Sequence, residues 1–128
     1  MVDFKYDILV IGAGPAGESA AIAAAKSEMR VGVVEDRGML GGNCTHKGTI
    51  PSKSLRSVVK RIVQLGSQNL FRSIGAKQYS YPEVLNAASE VIPKQVAMHT
   101  EYFNRNRIKV HNGRAKFIGE NQIEVVDP

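Results

Sequence analysis

Apolar positions follow two rhythms along the chain. Residues 6–11, Tyr6-Asp7-Ile8-Leu9-Val10-Ile11, form a short apolar run with β-branched members, the pattern of a strand buried on both faces. A second such run covers Val31 to Val34 and ends at Glu35-Asp36. Between them, Gly12-Ala13-Gly14-Pro15-Ala16-Gly17 breaks the first run. Glu18 to Met29 is then rich in alanine, the best helix former. The order strand, glycine turn, helix, strand predicts a βαβ unit with parallel strands and a right-handed crossover.

The rhythm then changes to threes and fours. Glycines 38, 41, 42 and 48 mark a loop, and from Asn43 or Pro51 onwards Leu55, Val58, Val59, Ile62 and Val63 predict a helix that Gly66 ends. Residues 67–79 read as a mobile connection. Ser80-Tyr81-Pro82-Glu83 predicts a helix start, with Ser80 as cap, Glu83 reaching back and Pro82 in the first turn. Val84, Leu85, Ala88, Val91, Ile92, Val96 and Phe103 form its stripe, and Pro93 predicts a kink or break within it. Ile108 to Val110, Arg114 to Ile118 and Gln122 to Val126 are short β-type runs punctuated by Asn112-Gly113 and Gly119-Glu120-Asn121. They predict an antiparallel meander. The fold class is therefore α/β, with a parallel βαβ core, two further helices and a C-terminal antiparallel meander.

Composition narrows the function. With 43% hydrophobic and 23% charged residues, the 128-residue chain suits one globular unit. A single cysteine excludes an internal disulfide and a cysteine-rich zinc site. His46, His99 and His111 lack metal-ligand spacing, so no metal is expected and each reads as structural or exposed. No apolar run is long enough to cross a bilayer, and the acidic start MVDFKYD does not read as a secretory signal. The expected location is the cytoplasm, with no membrane partner. The net charge of +5 is scattered along the chain, which argues against nucleic acid.

Gly12-x-Gly14-x-x-Gly17 sits where a strand gives way to a helix. Gly12 allows the sharp exit, Gly14 lets backbone approach a diphosphate, and Gly17 lets the helix pack on the sheet. The diphosphate would rest on the helix N-terminus. Glu35, ending the second strand, can accept both hydroxyls of an adenosine ribose and repels the 2′-phosphate of NADP. This pattern predicts dinucleotide binding, FAD or NAD.

Gly41-Gly42-Asn43-Cys44-Thr45-His46-Lys47-Gly48-Thr49-Ile50-Pro51-Ser52-Lys53 closely resembles the redox segment of the pyridine nucleotide-disulfide oxidoreductases, GG-x-C-x-x-x-G-C-I-P-S-K. Together with the fingerprint and Glu35, the resemblance covers residues 6–53. The Gly113-Arg114-Ala115-x-Phe117 stretch is similar more loosely. The resemblance implies a Rossmann-like FAD-binding domain. It implies that Gly12, Gly14, Pro15, Ala16 and Gly17 hold the FAD diphosphate, and Glu35 the ribose. Gly42, Asn43, Cys44 and Thr49 would line the flavin, Lys53 would lie near its N5, and the backbone of Ala115 would contact the adenine. Cys44, Thr49 and Lys53 would be the catalytic residues.

Two positions depart from the pattern. Asn43 replaces a small residue, commonly threonine. Thr49 replaces the second cysteine, and a hydroxyl can neither close a disulfide nor act as a thiolate donor. The segment from Cys44 to Lys53 is similar to the family's transhydrogenase branch, C-T-H-x-G-T-I-P-S-K. This implies hydride transfer between NADPH and NAD+ through bound FAD. A fragment of a dihydrolipoamide dehydrogenase-like or mercuric reductase-like flavoprotein is an alternative that Thr49 disfavours. A plain NAD-binding dehydrogenase domain leaves Gly41 to Lys53 unexplained. A non-catalytic binding module predicts no dinucleotide at all.

Members of the family run to several hundred residues. The resemblance therefore implies that residues 1–128 are the N-terminal part of an FAD-binding domain, without the nicotinamide nucleotide and dimerisation domains. NADP and NAD would be held mainly outside this chain, the full-length protein would be a homodimer, and the fragment would be inactive. A later strand would be needed beside the first. Lys53, Arg56, Lys60 and Arg61 share one helix side, which reads as solvated except for Lys53. Tyr79 and Tyr81 are expected to pack.

Overall fold

A computed structural model describes residues 5–67 and 78–127. Strand β1 (Ile8–Ile11) leads through the glycine turn into α1 (Pro15–Lys26), and β2 (Val31–Glu35) follows. Two helices come next, α2 (Gly42–His46) and α3 (Thr49–Gly66), then α4 (Tyr81–Ser89) and α5 (Val91–Arg105). The chain closes with β3 (Lys109–Asn112), β4 (Arg114–Gly119) and β5 (Gln122–Val126).

The βαβ unit forms as the pattern predicts. β1 pairs parallel with β2, from Ile8 opposite Val31 to Ile11 opposite Val34. β3 departs from the expected meander. It pairs parallel with the other edge of β2, from Gly32 opposite Lys109 to Glu35 opposite Asn112. Only β4 and β5 form the antiparallel part. The reason is burial. All five residues of β2 are buried, and a strand so enclosed needs a ladder on both edges. The expectation of a fully buried first strand is also corrected. β1 is an edge of the three-stranded sheet, and Ile8 and Ile11 remain exposed.

The core lies between the sheet, α1 and α5. It comprises Ala13, Ala21, Ala24, Val31, Val33, Phe103 and Ile108. The alanine-rich face of α1 allows that helix to lie close to β2, and Phe103 fills the space beneath α5. α3 has no fully buried residue, and Val59 and Val63 of its expected stripe face solvent.

The local signals are obeyed closely. Ser80 caps α4 and the reciprocal bonds with Glu83 form a capping box. The helix predicted from Ser80 to Phe103 breaks at Glu90, so that Pro93 falls in the first turn of α5. There its missing N–H leaves no bond unmade. α3 ends at Gly66 as expected, and most of the connection expected over 67–79 lies outside the described residues. Tyr79 and Tyr81, expected to pack, are both exposed.

Two long-range polar contacts tie the sheet to its flanks. The Asp7 carboxylate accepts from the Arg30 side chain and backbone, which holds its pKa below the ordinary value. Tyr6 Oη lies 2.6 Å from His111 Nε2, across 105 residues of sequence. Burial, then the nearby Lys5 and Lys109, lowers the His111 pKa from its ordinary 6.5. The unfolded chain therefore binds this proton more tightly than the folded one. Stability should be complete above pH about 6.5 and decline as pH falls through that value towards the lower folded pKa. Urea denaturation across this range checks it. In His111→Gln that part of the slope should vanish, and an unchanged slope would count against the assignment.

Candidate functional site

Two segments meet at the C-terminal ends of β1 and β2. The first is the fingerprint turn. Gly12 N–H donates to Val34 O at 2.7 Å, which holds the turn against the neighbouring strand. Gly14 is the N-cap of α1, no side chain caps this terminus, and Pro15 opens the helix. The first-turn N–H groups of such a helix have no intrahelical partners. Gly17 lies directly over the turn: a Cβ there would stand 1.9 Å from Gly12 O. Only glycine permits this approach of helix to strand.

Glu35 locks the turn from below. It is 6% exposed. Ala13 N–H donates to its Oε2 at 2.9 Å and Arg37 N–H to its Oε1 at 3.0 Å. Its backbone carbonyl accepts from Gly113 N–H at 2.9 Å, which carries the chain from β3 into β4. Each carboxylate oxygen keeps one further lone pair. A cavity of about 230 Å³ opens beside this node, lined by Ile11, Gly12, Val34, Asp36, Gly113 and Ala115 among others. Asp36, singled out by no motif, faces that cavity, and proximity to the Glu35 motif is the only signal that could have found it.

The second segment begins at Gly41. Its N–H donates to Ala13 O at 2.9 Å. Gly42 follows so closely that a Cβ would come within 2.9 Å of Gly14 Cα. The start of α2 thus rests on the fingerprint turn. Asn43 and Cys44 are exposed on α2, and Thr49 opens α3. Cys44 Sγ lies 3.6 Å from Thr49 Oγ1. Lys53 is exposed on α3, one turn beyond Thr49 and on the same helix face.

The histidines are each placed. His46 Nε2 donates to Leu40 O at 3.0 Å. His99 joins Glu18 and Thr45. Among the described residues no three histidine, cysteine, aspartate or glutamate side chains gather as a metal site. No helix among them is long and apolar enough to cross a membrane. A larger cavity, about 950 Å³, lies away from this site, between Tyr6, Leu9 and His111 on one side and Phe117, Ile123 and Val125 of the hairpin on the other.

The sequence pattern of the pyridine nucleotide-disulphide oxidoreductases matches residues 6–127, nearly the whole chain. The chain belongs to this family. Among its relatives, the soluble pyridine nucleotide transhydrogenase of Hahella chejuensis is 54% identical over 126 residues, 98% of this chain and 27% of that protein. The protein of the same name from Pseudomonas putida is 50% identical over 129 residues, 100% of this chain and 28% of the relative. The chain thus spans a little over a quarter of the length of these relatives.

Solved structures of flavoprotein and related chains share the fold. The Cu(II) complex of the HOCl-induced flavoprotein disulfide reductase RclA from Escherichia coli superposes with a TM-score of 0.77. It is 25% identical, and the match covers 98% of this chain and 25% of that one. LpdA from Mycobacterium tuberculosis gives a TM-score of 0.71 at 27% identity, over 88% of this chain and 24% of its own.

Proposed function

We propose that residues 1–128 are the N-terminal part of an FAD-binding domain of a soluble NAD(P) transhydrogenase, an enzyme passing hydride between NADPH and NAD+. The observation that carries this reading is the pair Cys44 and Thr49. The two side chains face each other at 3.6 Å, where a disulfide relay would need two sulfurs. A threonine hydroxyl cannot take part in thiol–disulfide exchange. Relatives at about 50% identity that bear the transhydrogenase name support the same reading.

The residues present fit FAD. A Cβ at Gly14 would meet nothing within 4 Å, so the backbone before α1 stands open to a diphosphate. The uncapped helix terminus would receive its charge. The cavity from Gly12 to Ala115 gives room beside that turn for the adenosine half. When bound, the flavin would supply the reversible two-electron carrier.

The roles of the chain's own groups follow. Gly12, Gly14, Pro15, Ala16 and Gly17 would hold the diphosphate, and the Glu35 carboxylate would accept from the ribose hydroxyls with its remaining lone pairs. Gly42, Asn43, Cys44 and Thr49 would line the ring, and Lys53 would place positive charge beside it. Ala115 would meet the adenine. Both nicotinamide nucleotides would bind mainly outside residues 1–128, in a cytoplasmic homodimer.

The full-length protein should purify with the visible absorbance of bound flavin, at about 450 nm, and should reduce a thionicotinamide analogue of NAD+ with NADPH. The isolated 128-residue chain should not. A colourless full-length protein without this activity would refute the proposal. Thr49→Cys tests the geometry separately. It places a second sulfur opposite Cys44, within closing distance of an S–S bond of about 2 Å. Mild oxidation should then remove both thiols from titration, and two persistently free thiols would show that the pair does not face as described.

A further inference from the structure

We infer that His99 is a positioning residue, which fixes the short helix carrying Cys44 against the fingerprint helix. Its bearing on the flavin rests on the function proposed above. Its bearing on Cys44 does not.

His99 enters the angle between α1 and α2 from α5. Its Nδ1 is hydrogen-bonded to Glu18 Oε2, in the first turn of α1. Its Nε2 lies 3.2 Å from Thr45 Oγ1 on α2. The side chains of His99 and Glu18 are 12% and 14% exposed, and Thr45 is 3% exposed. The partners are far apart in sequence, by 81 and 54 residues. The imidazole can satisfy both in either charge state. Neutral, with its proton on Nδ1, it donates to the carboxylate and accepts from the hydroxyl; protonated, it donates to both. Three polar groups joined in this way, Thr45 buried and the other two largely screened from water, are costly to separate.

The turn before α2 is shaped around this contact. Gly41 adopts φ +86°, and a Cβ there would stand 2.2 Å from Thr45 Oγ1 and 2.6 Å from His99 Nε2. The need for glycine at this position therefore comes from His99 as well as from the left-handed backbone. α2 has five residues, little more than one turn. So short a helix has no orientation of its own and takes it from outside contacts. Among those contacts are Gly41 N–H to Ala13 O at one end and the His99–Thr45 bond on its buried side. Thr45 directly follows Cys44, so releasing Thr45 frees the direction in which Cys44 Sγ points.

The test separates the two ends of the imidazole. In His99→Asn an amide stands near the place of Nδ1 and keeps only the Glu18 contact. In His99→Gln it reaches the place of Nε2 and keeps only Thr45. The rate of Cys44 alkylation by iodoacetamide is read in the purified full-length protein by peptide mass spectrometry, with thermal melts to verify folding. His99→Asn and Thr45→Val should each speed alkylation about 5-fold, the size of one lost hydrogen bond. His99→Gln should stay within about 2-fold of the parent by retaining that bond. The double variant His99→Asn/Thr45→Val should match either single one, because both remove the same contact. Parent-like rates in Thr45→Val and His99→Asn would overturn the inference, as would additive effects in the double variant. If His99→Asn does not fold, Thr45→Val, which conserves volume, decides alone. A protein that takes up no FAD would sink the proposed function, while the thiol rates would still decide the role of His99.

Discussion

Gly17→Ala is expected to destabilise the protein by about 3 kcal/mol or more, placing it among the rare severe single substitutions. The added methyl would stand 1.9 Å from Gly12 O and 3.2 Å from Val10 Cγ1. The first of these atoms is backbone and cannot swing aside. α1 would have to lift from β1, opening the core at Ala13 and Ala21, both fully buried. Urea denaturation of the full-length protein measures the loss, and flavin retention should fall with it. A variant as stable as the parent would show that α1 does not lie against the turn as described.

Glu35→Ala should be the second large effect, and it should be felt twice. The Ala13 N–H has no access to water, so removing its acceptor leaves a buried donor unmade, at a cost of about 1–3 kcal/mol. The proposed ribose contact would go as well. A hydrogen bond to a charged group contributes about 2 kcal/mol, or about 30-fold in FAD affinity. Glu35→Gln separates the two effects. The amide can keep one acceptor for Ala13 but has lost charge and one acceptor oxygen, so most of the stability should return while FAD affinity stays reduced. Calorimetric titration with FAD beside denaturation checks this. Equal loss of both properties in Glu35→Gln would mean that the carboxylate serves only the turn.

The features legible from sequence are those whose causes are local. The fingerprint is readable because Gly12, through its positive φ, and Gly17, through its approach to Gly12 O, answer constraints within a few residues of themselves. The capping box at Ser80 and Glu83 is readable for the same reason, and so is the helix end at Gly66. Pro93 correctly announces a discontinuity, although its place at Glu90 follows from putting proline in a first turn. The Cys44 to Thr49 spacing also reads through directly, because the short link between α2 and α3 leaves the two side chains little choice but to meet.

What sequence does not disclose is partner choice at long range. Residues 109–112 and 114–119 have the same short β character, yet one joins the parallel sheet and the other a hairpin. The difference lies in the open edge of β2, which no window around Lys109 contains. β1 is as apolar as β2, yet its position at the sheet edge leaves Ile8 and Ile11 exposed. The sequence shows His99 only as structural or exposed, because Glu18 and Thr45 are remote from it along the chain. Tyr79 and Tyr81 are aromatic, but they flank a cap that faces solvent.

The pairing of β3 with β2 has a consequence for the order of assembly. β1, α1 and β2 can collapse together while the ribosome is still making the helices that follow, since each contacts its neighbour in the chain. The second edge of β2 must wait until Lys109 emerges, and closing so large a loop slows the search for register. During that interval a strand of Val31, Val33 and Val34 stands half-covered, a natural target for a chaperone.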